Sequence, residues 1–429
     1  MSKSKIAPLL INSDMFFRSM ARRSGFRDGL YNLLQPSAGA MRGMDTFKRA
    51  HVTHMPIVPI TDLTKPVHKG VTEVSVTQLH DLVAPPIPGD HVAEGHEVRL
   101  NASADKVTVG RLRRPVETEG KLARMGDPYD QKAELQPQLI HWIKRVQDEM
   151  SRIYLAGERG SYMDSDLNIP LSDHEHFAEM FPNGIRPPSW DRHFVCNAAG
   201  AVVNGDVTTL TAASVPTRET FEELRMQLDG GANAMPPVNM MDPSKFTHAN
   251  GADMLGPAEV RQLVLMSPRA FRSFKAALGA QYQQLLADTS QRKMKWDHPV
   301  FFQEGIFLEG FFITIDYVPI RFMPNSIINV SQNVPSATVA TQQIPTAATL
   351  GNGVVERAII LGGQALYRVT APVSESRMWE ITRRDWDYGN IDRMCLAYVH
   401  GQKMVMSQGL DGYVRSRGVA CLDMTVPLA

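Results

Sequence analysis

The sequence contains little cysteine and no excess of charge of either sign. Its 429 residues include only Cys196, Cys395 and Cys421, with no CxxC pair among them. This argues against a disulfide framework or a cysteine zinc site and is compatible with a reducing compartment. The 45 Lys and Arg residues equal the 45 Asp and Glu residues in number. The chain therefore lacks the overall positive field that draws proteins to nucleic acid.

Long apolar runs are also missing. The stretch IAPLLI near the start is too short for the core of a secretory signal. The most apolar region, GIFLEGFFITIDYVPI, is interrupted by Glu309 and Asp316. It predicts two buried strands around residues 307–317 rather than a membrane span. We expect a soluble protein of two or three subdomains, with no membrane partner.

Motifs that carry catalysis are absent as well. The patterns GxSxG, GxxxxGK[ST] and HExxH do not occur, nor does GxGxxG after a strand. The densest group of metal-ligand types is Asp173, His174, Glu175 and His176. Adjacent side chains point in different directions, so few of them could reach one ion. We interpret the group as a solvated loop, predict no catalytic, metal or cofactor-binding residue, and keep a metal-dependent hydrolase as the less favoured alternative.

The most informative segment is a charged arm between residues 88 and 126 that leads into a long helix. The arm and the residues before it alternate apolar and polar positions near 71–83, 96–100 and 106–112, as strands do. An isolated hairpin is marginal in water, so this arm needs a surface to lie on. A polar arm ahead of a long helix suits a protein whose partner is another copy of itself. The charged cluster of the arm is Arg111, Arg113, Arg114, Glu117 and Glu119.

The helix that follows has a clear start and a clear stop. Asp127 can cap it, Pro128 fits its first turn, and Gly157 suits its end. An apolar stripe at helical spacing runs from Leu135 to Tyr154, which indicates core packing. Pro137 predicts a kink or a later true start.

Patterns elsewhere predict shorter elements. Residues 1–61, which are rich in arginine, predict an extended or partly helical arm, and residues 161–251 predict loops with a helix at 217–228. A strand at 260–266 precedes a helix capped by Ser267. Residues 326–353 predict an exposed loop, and AIILGGQALYRV predicts a strand running into a helix. The tail predicts the closing strands of a sheet.

Several motifs in one order give the chain a resemblance. PGDHVAEGHEVRL, KVTVGRLRRPVETEGKLARMGDPYD and LAGERG resemble the major capsid proteins of the coliphage N-four type. LVLMSPRAFRSFK, HPVFFQEGIFLEGFFITID, AIILGGQAL and WDYGN…GQKM follow in the order of that family. The resemblance runs from about residue 88 to the end, and it is poor over residues 161–251.

The resemblance implies an α+β fold of the Hong Kong 97 type. It implies an N-terminal arm (1–61), an extended loop (62–126), a peripheral domain with a spine helix and a loop-rich insertion (127–250), an axial domain (251–370) and C-terminal strands returning to the peripheral domain (371–429). The implied function is that of a major capsid protein, assembled in the host bacterial cytoplasm, whose pentamers and hexamers form the icosahedral shell of a tailed phage virion. Implied partners are further copies, which the charged cluster at residues 111–119 would contact, packaged double-stranded DNA, and scaffolding, portal and decoration proteins; no cofactor is implied. An encapsulin-like shell around protein cargo is the alternative.

Overall fold

The computed structural model mixes helices with many strands. It describes residues 59–62, 72–79, 86–89, 94, 97, 102–121, 131–162, 167–229, 234–236, 262–293, 305–316, 320–332, 338–371, 379–388, 390–408 and 413–427. The helices are α1 (Gln131–Ala156), α2 (Phe177–Met180), α3 (Arg218–Asp229), α4 (Pro268–Leu278) and α5 (Gln281–Lys293).

The strands are β1 (Ile60–Asp62), β2 (Glu73–Leu79), β3 (Ala102–Thr108), β4 (Gly110–Glu117), β5 (His193–Cys196), β6 (Val202–Asn204), β7 (Gln262–Met266), β8 (Gly305–Leu308), β9 (Phe311–Ile315), β10 (Ile320–Phe322), β11 (Ile327–Gln332), β12 (Thr338–Gln343), β13 (Gly353–Leu361), β14 (Leu366–Ala371), β15 (Trp379–Trp386), β16 (Ile391–Met404), β17 (Met406–Gln408), β18 (Val414–Ser416) and β19 (Val419–Pro427).

A five-stranded sheet forms one part of the fold. Its path is β1–β14–β16–β15, and β4 pairs with β16. The apolar stripe of α1 packs on this sheet, where Leu139 and Ile143 meet Leu396 and Tyr398. The helix includes Pro137, so that residue is not its start. The predicted cap, Asp127, lies outside the described residues.

An eight-stranded sheet forms the second part. Its path is β6–β5–β19–β13–β7–β9–β8, and β10 pairs with β13. The strands β7 and β13 are buried along their whole length, as expected for strands covered on both faces. One cover is α4, which is capped as predicted because the Ser267 hydroxyl accepts a hydrogen bond from the amide of Ala270. The predictions of β7, β8, β9, α3 and α4 are confirmed.

Two predictions along the chain are wrong. The segment AIILGGQALYRV forms β13 and β14, not a strand and a helix, because β14 is held between β1 and β16. The segment 326–353 contains the hairpin β11–β12 instead of an exposed loop. Its alternation places Ile328 and Val330 in the core, and this apolar burial holds the hairpin in place.

A buried charge cluster lies where α1 ends against the eight-stranded sheet. Asp423 and Arg357 are opposite each other on β19 and β13, and both side chains are fully buried. The Asp423 carboxylate accepts from Arg357 at 2.7 and 2.8 Å and lies 2.7 Å from His193 Nε2. Arg357 also donates to the carbonyl of Ala156 at 2.9 Å. The cluster thereby ties the carboxyl end of α1 to two strands.

No helix in the described part of the chain combines the length and the apolarity needed to span a membrane.

Candidate functional site

The charged strand β4 is an edge strand of the five-stranded sheet. It pairs antiparallel with β16, from Gly110 opposite His400 to Glu117 opposite Arg393. Leu112 and Val116 pack towards α1. Alternation along the strand therefore turns Arg111, Arg113, Pro115 and Glu117 to the opposite face. The other edge of β4 pairs with no strand among the described residues, which is the position where a proline such as Pro115 is tolerated.

The outward face of β4, β16 and β15 carries a group of ionised side chains. We call it the charged face and define it as Arg111, Arg113, Glu117, Glu380, Arg384 and Arg393. Arg111 lies 3.7 Å from Glu380, and Arg393 lies 2.9 Å from Glu117.

Two cations of the charged face lack such partners. Arg384 lies directly opposite Arg393, and like charges in that position repel. Within the described residues, neither Arg384 nor Arg113 has an ion pair or a hydrogen-bond partner for its side chain. Both are exposed. The charged face can therefore accept carboxylates from outside the chain.

The predicted cluster is divided by the sheet. Arg111, Arg113 and Glu117 share the charged face, whereas Arg114 lies on the helix side, with its guanidinium 6.0 Å from the ring of Trp142. Glu119 lies beyond the end of β4 and is exposed. The sequence predicted the strand and its charge, but the division depends on which face meets α1.

A two-stranded ribbon, β2–β3, precedes β4. It packs on its own chain, since Val76 and Val107 are buried against Tyr367 and Val405. Gln78 donates to the Tyr367 hydroxyl at 3.1 Å and to the carbonyl of Met406 at 2.9 Å. The sequence predicted that this arm needs a surface to lie on. For the strands β2 and β3 this prediction is confirmed, and the surface belongs to the same chain. Most of residues 80–101 lie outside the described residues.

Asn183 fixes the elbow between the ribbon and β4. Its side-chain oxygen accepts from the amide of Thr108 at 2.6 Å, and its side-chain nitrogen donates to the carbonyls of Thr108 and Gln402 at 2.8 and 2.9 Å. A Cβ on Gly401 would lie 2.4 Å from the Thr108 oxygen, so only glycine allows this approach. Sequence reasoning missed Asn183. The letters PNG signal a turn, but they do not reveal what the turn contacts.

The group Asp173 to His176 forms an exposed turn. His176 lies 3.2 Å from Glu175 and 3.6 Å from Glu179, and all three side chains are largely exposed. Across the described ranges, no group of three or more His, Cys, Asp or Glu side chains is arranged to hold a metal ion. The interpretation of residues 173–176 as a solvated loop is confirmed.

Comparison with protein families gives a match along almost the whole chain. A family model described as phage capsid protein matches residues 6–419.

The chain belongs to the phage capsid protein family.

Solved phage capsids share its fold. The capsid of Ralstonia phage GP4 aligns with a TM-score of 0.63 at 19% identity, over 86% of this chain and 87% of that one. The capsid of cyanophage Pam1 aligns with a TM-score of 0.53 at 12% identity, over 87% and 90%. The head of Helicobacter pylori bacteriophage KHP40 gives 0.52 at 11% identity, over 86% and 88%. The fold of this phage capsid protein is therefore of the Hong Kong 97 type. No curated protein sequence matches the chain.

In the described part of this chain, the candidate site is a surface on the five-stranded sheet. Three features of this chain's own geometry lie together: the charged face, the edge of β4 that faces away from β16, and the ribbon β2–β3. They place exposed charge beside a strand edge that pairs with no described strand, at one side of a helix-backed sheet.

Proposed function

We propose that this chain is the major capsid subunit of a tailed phage, of the N-four type, and not an enzyme. Copies form pentamers and hexamers that close into an icosahedral shell around double-stranded DNA. The observation that carries this proposal is the family match over residues 6–419. The five-part division into arm, extended loop, peripheral domain, axial domain and C-terminal strands is part of the proposal.

The charged face contributes through repetition. One exposed ion pair stabilises a contact by about 0.2–1 kcal/mol, which is too little to hold two subunits together. A closed symmetric shell repeats each contact at every subunit. Arg113 and Arg384 then meet carboxylates of a neighbour, and the paired members of the face fix the orientation of the contact. Arg111 and Glu117 support this contact from the same face, whereas Arg114 and Glu119, which lie off that face, are proposed as further contacts between copies.

The open edge of β4 and the segment 80–101 extend the contact. An unpaired strand edge can pair with a second chain, and covering it removes an aggregation hazard. Pro115 has no amide hydrogen, so such pairing is interrupted at that residue. The segment 80–101 is proposed to lie across the neighbouring subunit.

The balance of charge suits a container for DNA. With 45 basic and 45 acidic residues, the chain does not bind DNA tightly through counterion release, so packaging and ejection are not opposed. We propose assembly in the host cytoplasm, with scaffolding, portal and decoration proteins as further partners.

Electron microscopy and sedimentation of the full chain test the proposal. We expect closed shells, and we expect the double variant Arg113→Glu and Arg384→Glu to assemble at less than a tenth of the wild-type yield. Arg272→Glu, a reversal at another exposed arginine, is the matched control and keeps the wild-type yield. A wild-type chain that stays monomeric contradicts the function. An assay for nuclease-protected DNA in virions carrying this sequence separates a capsid from a cargo shell. Protected DNA of genome length identifies a capsid.

A second variant tests the segment 80–101. Leu79 and Ala102 are opposite each other at the end of the ribbon, so an Asn-Gly turn can replace residues 80–101 without breaking β2–β3. We expect a folded subunit that no longer forms shells. Normal shells would show that this segment is not part of the contact between copies.

A further inference from the structure

The turn between β15 and β16 presents two aromatic side chains to solvent. Tyr388 is fully exposed and Trp386 is 52% exposed. They are the aromatic members of the small set of large apolar side chains left exposed in the described part of the chain. We call Trp386, Asp387, Tyr388 and Asn390 the aromatic tip. Both rings lie outside the hydrophobic core clusters, so their burial contributes little to folding.

Hydrogen bonds and one ring contact fix both ends of the aromatic tip. The amide of Asn390 donates to the carbonyl of Asp387 at 2.9 Å, and its side-chain nitrogen donates to the Asp387 carboxylate at 3.1 Å. The Asn390 side-chain oxygen accepts from the amide of Lys121 at 2.9 Å. The guanidinium of Arg393 lies 4.2 Å from the centre of the Trp386 ring. A Trp386 ring that is already held in this way loses less conformational freedom when it binds.

Backbone conformation makes a tyrosine costly at this position. Asp387 and Tyr388 have φ angles of 53° and 52°, in the left-handed region that glycine and asparagine tolerate best. A bulky side chain there is an outlier, and strain of this kind is found at functional positions. Because Tyr388 is fully exposed, packing within the chain does not account for it.

We propose that the aromatic tip anchors one copy of this chain to a second copy. This inference rests on the proposed shell function and assigns to the contact between copies a residue, Tyr388, that the proposed function does not use. Aromatic side chains together with arginine dominate the energetic centres of protein interfaces.

Charge favours a second copy as the partner. Trp386 lies on the same face of β15 as Arg384 and Glu380, so the surface beside the tip offers both signs, and two copies of this surface can complement each other. The tip is continuous with the charged face, which we assign to contacts between copies. A single docking surface can then include both.

Two substitutions at one residue test the anchor. Tyr388→Asn relieves the backbone strain and removes the ring, so we expect an unchanged or higher urea midpoint but at least a tenfold loss of shell yield. Tyr388→Phe keeps the ring and the strain, and we expect the wild-type yield. Stability and assembly thus move in opposite directions, which a merely structural role would not produce.

The outcomes separate the anchor from the proposed function. If wild type and Tyr388→Phe form shells and Tyr388→Asn remains as folded smaller species in sedimentation velocity, the anchor is supported. If purified Tyr388→Asn alone forms shells in wild-type yield, the contact between copies does not need the ring. The anchor is then overturned, and the proposed function stands. A wild-type chain that forms no shell refutes the function itself.

Discussion

The substitution Asp423→Asn should destabilise the fold more than any change at an exposed ion pair. Asp423 is fully buried, and its carboxylate is the acceptor for Arg357 and lies against His193. Its pKa is held well below the usual range by Arg357 and His193, which outweigh the opposing effect of burial. The amide of asparagine has no charge, so the Arg357 guanidinium would remain buried and uncompensated.

The expected loss is about 3–5 kcal/mol, the range for a buried pair that loses one partner. That is a large part of the roughly 5–15 kcal/mol that stabilises a typical fold. Replacing Arg357 by methionine in the same chain removes the uncompensated charge, so the double variant should regain a large part of the loss. The depressed pKa of Asp423 also means that its contribution is present above about pH 4 and is lost as the pH falls. The acid limb of the stability profile should therefore be shallower in Asp423→Asn.

Urea unfolding followed by tryptophan fluorescence and circular dichroism measures these changes. Glu73→Gln is the control, because Glu73 lies 3.6 Å from Lys106 and both side chains are more than half exposed. That pair should contribute no more than about 1 kcal/mol. A loss below 1 kcal/mol in Asp423→Asn, or a double variant less stable than the single one, would refute the reasoning.

Three further predictions concern the surroundings of α1 and the elbow. Burial and nearby Arg368 lower the pKa of His400 to about 4, so folding stability is lost as the pH falls from about 6.5 to about 4. His400→Phe should reduce the dependence of the unfolding free energy on pH by about 1.4 kcal/mol per pH unit. The measurement is the urea midpoint between pH 4 and 7. If the midpoints of the variant and of wild type fall in parallel, the prediction is contradicted. Burial raises the pKa of Glu158 to about 7, so this carboxyl costs folding stability as the pH rises from 4.5 through 7. Glu158→Gln should therefore raise the urea midpoint at pH 8 but not at pH 4. Equal shifts of the midpoint at both pH values would disprove the assignment. Asn183→Ala removes the elbow's hydrogen bonds at a cost of about 1–3 kcal/mol, and unchanged hydrogen exchange at the Thr108 amide would rule out its role.

Local signals made part of the fold predictable. The helix α4 follows from Ser267 as cap, Pro268 in the first turn and apolar residues at helical spacing, all within a few residues. The strands β8 and β9 follow from one apolar run broken by a turn at Glu309 and Gly310. In such segments the local preference and the tertiary environment agree.

The sequence did not predict structure that depends on contacts between residues far apart in the chain. The segment after Gly363 reads as helix, but pairing with β16 makes it the strand β14. The cluster at residues 111–119 was predicted as one contact, yet its division follows from pairing with β16, nearly 300 residues away. Asn183 has no pattern of its own, because its importance comes from the two carbonyls and the amide that meet around it.

Cryo-electron microscopy of particles formed by the full chain tests the central claim most directly. The account predicts closed shells of repeated subunits, in which Arg113 and Arg384 of each copy lie at a boundary between copies. A compact monomer at every concentration, or shells in which both arginines face open solvent, would contradict it.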